Sequence, residues 1–178
     1  SEALDIPVHT HTLESKLQAV QAQQQWGKTV VEYLGELGLL TPRLTIVHGI
    51  WLTDRDIALL ADHECSVVHN PLSNMKLGSG VCRVRDLLDA GINVALGTDG
   101  LATSDTADLI EAIRVASLIH KPGTHDYARW ISAADVFRMA TLGGARTGLM
   151  QREVGSLEPG KKADVILLDR DSWGFIPL

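Results

Sequence analysis

With 178 residues, 45% of them hydrophobic, the chain has enough apolar side chain to bury a core and remove roughly 70% of its unfolded surface from water, which excludes a disordered segment. A net charge of −6 and a pI near 5.6, with acids and bases interspersed, exclude nucleic acid and the membrane surface as principal partners and favour a small molecule. Cys65 and Cys82 lack CxxC spacing, and no secretory leader or apolar run of about 18 residues is read, so a reduced, cytoplasmic setting with two packed thiols is expected.

Strands and helices alternate in the pattern. Ile6-Pro7-Val8-His9-Thr10-His11 reads as a first strand. Helical spacing follows over residues 12–22 at Leu13, Leu17 and Val20, and Gln21 to Gln25 reads as a solvated helix end or turn. A second apolar stripe, Val30, Val31, Leu34 and Leu37, runs to a stop at Gly38, and Thr41-Pro42 breaks the chain before the strand Leu44-Thr45-Ile46-Val47-His48. Thr53 caps the next helix, with Asp54 and Asp56 in its first turn where the dipole favours them, and Ser66-Val67-Val68-His69 is a third strand. Residues 84–90 form a short helix ended by Gly91, residues 92–96 a fourth strand, and residues 106–120 a long amphipathic helix. Ser132 caps another helix through Met139, and residues 143–149 form one more. Beyond the turn Gly155-Ser156-Leu157-Glu158-Pro159-Gly160, residues 163–169 read as a strand with no helix after it, belonging to a separate small β-structure for which the chain supplies few partners.

Val94-Ala95-Leu96-Gly97-Thr98-Asp99-Gly100 is the most telling stretch. An apolar run that ends on an acid between glycines delivers a carboxylate to the C-terminal rim of a parallel sheet, where active sites of α/β folds collect. Three other runs end on imidazole, at His11, His48 and His69. Alone, each such residue reads as a cap or a packed histidine; on four successive strand ends they read as a site. His9 and His11 share a face by alternation, and Glu14 follows where the chain leaves the strand. Imidazole and carboxylate are ordinary ligands of a zinc-class ion, and a second carboxylate is wanted as proton carrier, a part open to Glu14.

Together His11-Thr12-Leu13-Glu14, the strand-end His48, the block His69-Asn70-Pro71-Leu72-Ser73-Asn74-Met75-Lys76-Leu77-Gly78-Ser79-Gly80 and Leu96-Gly97-Thr98-Asp99-Gly100 resemble the amidohydrolase superfamily. The nearest branch is the cytosine-deaminase-like group, which includes methylthioadenosine/S-adenosylhomocysteine deaminases, guanine deaminases, and triazine hydrolases and chlorohydrolases. The resemblance covers essentially the whole chain, including the turn at residues 155–164. It implies an α/β fold: the C-terminal half, strands five to eight with their helices, of a TIM-like metal-dependent-hydrolase barrel over residues 1–150, and a remnant of a small composite β-sandwich over 151–178. It further implies a divalent metal, zinc before iron or manganese, held by His11 and Asp99 with His48 near enough to join them. Glu14 becomes the proton shuttle, His48 the group that orients water or polarises substrate, and Asp99 the general base. His9, His69, Asn70 and Ser73 become pocket residues, with Asn74 holding loop shape.

The family opens its site with a His-x-His pair on barrel strand one. The order of Glu14, His48, His69 and Asp99 places Val8-His9-Thr10-His11 at strand five instead, so the sequence reads as a half-barrel short of two ligands. The function this implies is a hydrolase of non-peptide carbon–nitrogen bonds that deaminates a nucleobase-like or triazine-like ring. The alternatives are a chlorohydrolase using the same water, and a catalytically silent fragment. Either way, a shell short of two ligands predicts weak or absent metal in the chain alone, and open edges beside interior side chains such as Val8, Ile46, Val68 and Ala95 predict a homo-oligomer.

Overall fold

The structure is a computed structural model that describes residues 6–169 together with Leu4 and Asp171. Four parallel strands stand in sequential order: β1 (Val8–Thr12), β2 (Leu44–His48), β3 (Ser66–His69) and β4 (Asn93–Leu96). Between them run α1 (Lys16–Trp26), α2 (Val30–Glu36), α3 (Asp54–Asp62), α4 (Pro71–Lys76) and α5 (Val84–Asp89). After β4 come α6 (Leu101–Ser104), α7 (Leu109–Ile119) and α8 (Ala133–Arg138), a π-helical turn at Met139–Gly143, and α9 (Gly144–Thr147). Among the described residues, no helix is long and apolar enough to cross a membrane.

Local chemistry sets the helix starts. Thr29, Thr53 and Ser132 each close a capping box with an acid three residues on, pairing backbone N–H groups that a helix start would otherwise leave open. The first helix begins later than its spacing suggests. Thr12 stays in β1, paired with His48, and Leu13 turns the chain with φ 55° while its carbonyl accepts from the Ile50 and Trp51 amides. The His69-to-Gly80 block contains a short helix, because Pro71 at its first turn brings a pre-set φ and no amide to satisfy.

Register sorts the strand residues into two faces. Thr10, Ile46, Val67 and Val94 are level with one another, and the last three are buried with Val31, Leu60, Val84, Leu87 and Val136 in the core. On the other face His11, Val47, Val68 and Ala95 form one layer, and His9, Thr45, Ser66 and Asn93 the layer below it. Val8 and Ile46 therefore lie opposite to Val68 and Ala95, correcting the grouping expected from sequence. The π-helical turn and α9 join the two edge strands: Asn93 Nδ2 donates to the Gly143 carbonyl at 3.2 Å, and His9 Nε2 lies 3.2 Å from the Thr147 carbonyl oxygen. A Cβ on Gly143 would sit 2.5 Å from the Val94 carbonyl, so only glycine permits this approach.

The expected strand over 163–169 is not formed. Residues 162–169 carry no regular structure, and Ile166 and Leu167 are 74% and 94% exposed. A strand needs a neighbour for its amides and carbonyls, and none pairs with it among the described residues. The end of the expected sandwich remnant, Arg170 and residues 172–178, lies outside the described residues.

Candidate metal and proton-transfer site

The strand exits bring His11, His48 and Asp99 together, with one ligand atom from each lying within 4.8 Å of the others. The rings of His11 and His48 are 5.3 Å apart and tilted by 43°. His48 Nε2 is 3.7 Å from Glu14 Oε2 and 3.9 Å from Asp99 Oδ2. Two imidazoles and the Asp99 carboxylate, from β1, β2 and the exit of β4, thus meet, with the Glu14 carboxylate from the exit of β1 beside His48 Nε2.

Simple alternation does not produce this convergence. His48 is level with Thr12, which puts an extended His48 on the face opposite to His11. Its φ of 74° rotates the side chain about the N–Cα bond relative to the strand before it. Asp99, at φ 61°, is also left-handed. For L-residues this conformation costs about 1–2 kcal/mol each, and such strain clusters where a site demands a direction that regular backbone denies.

Donors are distributed around the cluster. His48 is fully buried, its Nδ1 lies 2.9 Å from Asn74 Oδ1, and its Nε2 is buried without a hydrogen-bond partner among the described residues. That unpartnered atom, facing two carboxylates beside His11, suits a cation ligand. Partial burial works to raise the Asp99 pKa, but donation from the Ser73 hydroxyl at 2.6 Å, the Gly100 amide and Thr103, with the field of His48, holds it below the usual carboxylate value.

The pocket candidates have other surroundings. His9 reaches to the Thr147 carbonyl. His69, Asn70 and Ser73 are 0%, 2% and 0% exposed, so they form no open rim. Ser73 is turned to Asp99, and His69 packs on His120 of the α7 end with ring centres 5.3 Å apart. Neither His69 nitrogen has a hydrogen-bond partner among the described residues. Burial, then the fields of His120 and His48, lowers its pKa to about 3, and burial lowers His120 to about 4. Sequence offered no signal for His120, which is 51 residues from the histidine it meets. Burial also pushes the Cys65 and Cys82 thiols up to about 11 and about 12, as expected of packed thiols.

Asn70 meets β4 closely enough to require Gly97. A Cβ there would overlap Asn70 Oδ1 and stand 2.9 Å from Val68 Cγ1. Gly97→Ala is expected to cost about 1–3 kcal/mol through overpacking, read as a lower urea midpoint at unchanged m-value. An unaltered midpoint would mean that Asn70 moves aside freely.

Residues 1–175 match the family described as the Amidohydrolase family. A 5-methylthioadenosine/S-adenosylhomocysteine deaminase of Thermococcus sibiricus is 45% identical over 159 residues, 89% of this chain and 37% of that protein. A 5'-deoxyadenosine deaminase of Methanothermobacter thermautotrophicus is 42% identical over 93% of this chain and 38% of its own length. Among solved structures, an adenosine deaminase from Xanthomonas campestris with bound zinc superposes with a TM-score of 0.94 at 40% identity, over 99% of this chain and 40% of that one. The atrazine chlorohydrolase of Arthrobacter aurescens complexed with zinc also gives 0.94, at 30% identity over 99% of this chain and 39% of that one. The chain thus spans about two-fifths of the length of the relatives it matches.

Proposed function

Because the chain belongs to the amidohydrolase family, we propose that it supplies strands five to eight of the catalytic barrel of a metal-dependent hydrolase that deaminates a nucleobase-like ring. The observation that carries this reading is the convergence of His11, His48 and Asp99 beside Glu14. Residues 1–150 form the barrel part and 151–178 the remnant of a small β-sandwich in this reading. His11 and Asp99, joined by His48, hold a divalent ion, with zinc supported by the zinc-bound neighbours. When bound, such an ion supplies Lewis-acid chemistry, bringing the pKa of a water molecule down to roughly 7.

The chain's own residues carry the protons. Asp99, kept below the ordinary carboxylate range, is ionised at neutral pH and takes a proton from the attacking water. Glu14, with Oε2 3.7 Å from His48 Nε2, passes that proton to the ring nitrogen; Asp99 then takes the second proton from the hydroxyl added to the ring carbon and it goes to the amine, which leaves as ammonia and returns both carboxylates to their ionised form. His48 directs the lone pair of its unpartnered Nε2 at the same point, where it joins His11 and Asp99 as a ligand. A reducing cytoplasmic setting and association of the isolated chain through its sheet edges complete the proposal.

The superposition on a chlorohydrolase supports a second reading, since the same water can displace chloride. The discriminating assay offers 5'-methylthioadenosine and a chloro-s-triazine to an active protein carrying this segment. Ammonia release without chloride is expected; faster chloride release would overturn the deaminase assignment, and loss of neither activity on chelation would overturn the metal reading.

A further inference from the structure

Two consecutive residues of α4 face the two sides of the site. Asn74 Oδ1 accepts from His48 Nδ1 at 2.9 Å, and Ser73 Oγ donates to Asp99 Oδ2 at 2.6 Å. Both side chains are enclosed, at 1% and 0% exposure. Sheet order explains how one turn serves both: α4 leaves β3, and β3 lies between β2, which ends on His48, and β4, which leads to Asp99. Neighbouring helix residues project about 100° apart, so Ser73 and Asn74 diverge toward the two flanking strand exits. Lys76 anchors the far end of α4, donating to the Ala102 carbonyl at 3.1 Å and pairing with Asp105.

Resting on the metal-site reading above, we propose that Ser73 and Asn74 are positioning residues: Asn74 keeps the His48 proton on Nδ1, so that the Nε2 lone pair faces His11 and Asp99, and Ser73 fixes the Asp99 oxygen that confronts it. The electrostatics make Asn74 decisive. Nε2 faces the carboxylates of Glu14 and Asp99 at 3.7 and 3.9 Å, which by themselves favour a proton on Nε2 and would block it as a ligand. A carbonyl acceptor at Nδ1 reverses that preference. Asp99 Oδ2 is likewise the oxygen nearer Ser73 and the one measured against His48 Nε2, so one hydroxyl aims one ligand atom.

The test uses the 178-residue chain with 15N-labelled histidine, stripped of metal by EDTA and then titrated with zinc against a chromophoric chelator. Wild type is expected to show the Nδ1–H tautomer at His48, and Asn74→Leu the Nε2–H tautomer, with zinc affinity lower by about 10–100-fold. Asn74→Asp, which restores an acceptor, is expected to recover the Nδ1–H tautomer. Ser73→Ala is expected to weaken zinc by about tenfold and Ser73→Thr to restore it. Circular dichroism identifies any variant that merely fails to fold, in which case the Asp and Thr replacements carry the comparison with wild type. The proposal is overturned by a folded Asn74→Leu that keeps the wild-type tautomer, or by a wild type already protonated on Nε2. If the 178-residue wild type binds no zinc, as a shell short of two ligands allows, the tautomers of wild type, Asn74→Leu and Asn74→Asp by themselves decide the role of Asn74, and the zinc comparison passes to a protein carrying the whole barrel.

Discussion

Asp99→Asn is expected to lower kcat/KM by about 10²–10⁴-fold in any active protein carrying this segment, equivalent to about 3–5 kcal/mol of transition-state stabilisation. The substitution keeps the volume and leaves an oxygen for Ser73, so the fold is retained. What disappears is the negative charge and the ability to take a proton. Steady-state kinetics beside a thermal melt separate the two: turnover near the wild-type rate at an unchanged Tm would reduce Asp99 to a residue that shapes the start of α6.

The second large effect concerns the buried imidazole pair. His69 titrates at about 3 in the folded chain against an ordinary 6.5, so between those values the unfolded chain binds a proton that the native state refuses. Stability therefore falls as pH drops through this window and is fully present above 6.5. At pH 5 the loss from His69 is about 2 kcal/mol, and His120, lowered to about 4, acts with the same sign. Urea unfolding of metal-free protein at pH 7 and pH 5 measures it. His69→Leu is expected to remove much of the difference, and an equal pH dependence in wild type and variant would refute the assignment.

Of the candidate site, the residues were more legible than their directions. His11, Glu14, His48 and Asp99 stand out because apolar strands ending on ligating side chains leave a mark in one dimension. The caps Thr53 and Ser132 were equally plain, since a cap stands next to the helix it opens. The roles of His69, Asn70 and Ser73 were not, because a polar residue after a strand has the same spelling whether it meets solvent, a carboxylate or another histidine. The sequence offers Asn74 only as a residue that holds loop shape, yet it accepts from a residue 26 positions away.

The sequence by itself determined the βα alternation, the four strand exits and the family, because hydrophobic period, turn residues and motif spacing are local properties. Only the tertiary structure decided which way His48 points, that α4 reaches both His48 and Asp99, that His9 meets Thr147, and that residues 163–169 lack a strand partner. Those outcomes depend on contacts between distant segments and on left-handed backbone whose strain is sustained only by the packed sheet around it. A strand's pattern specifies which residues alternate; its neighbours decide what each one meets.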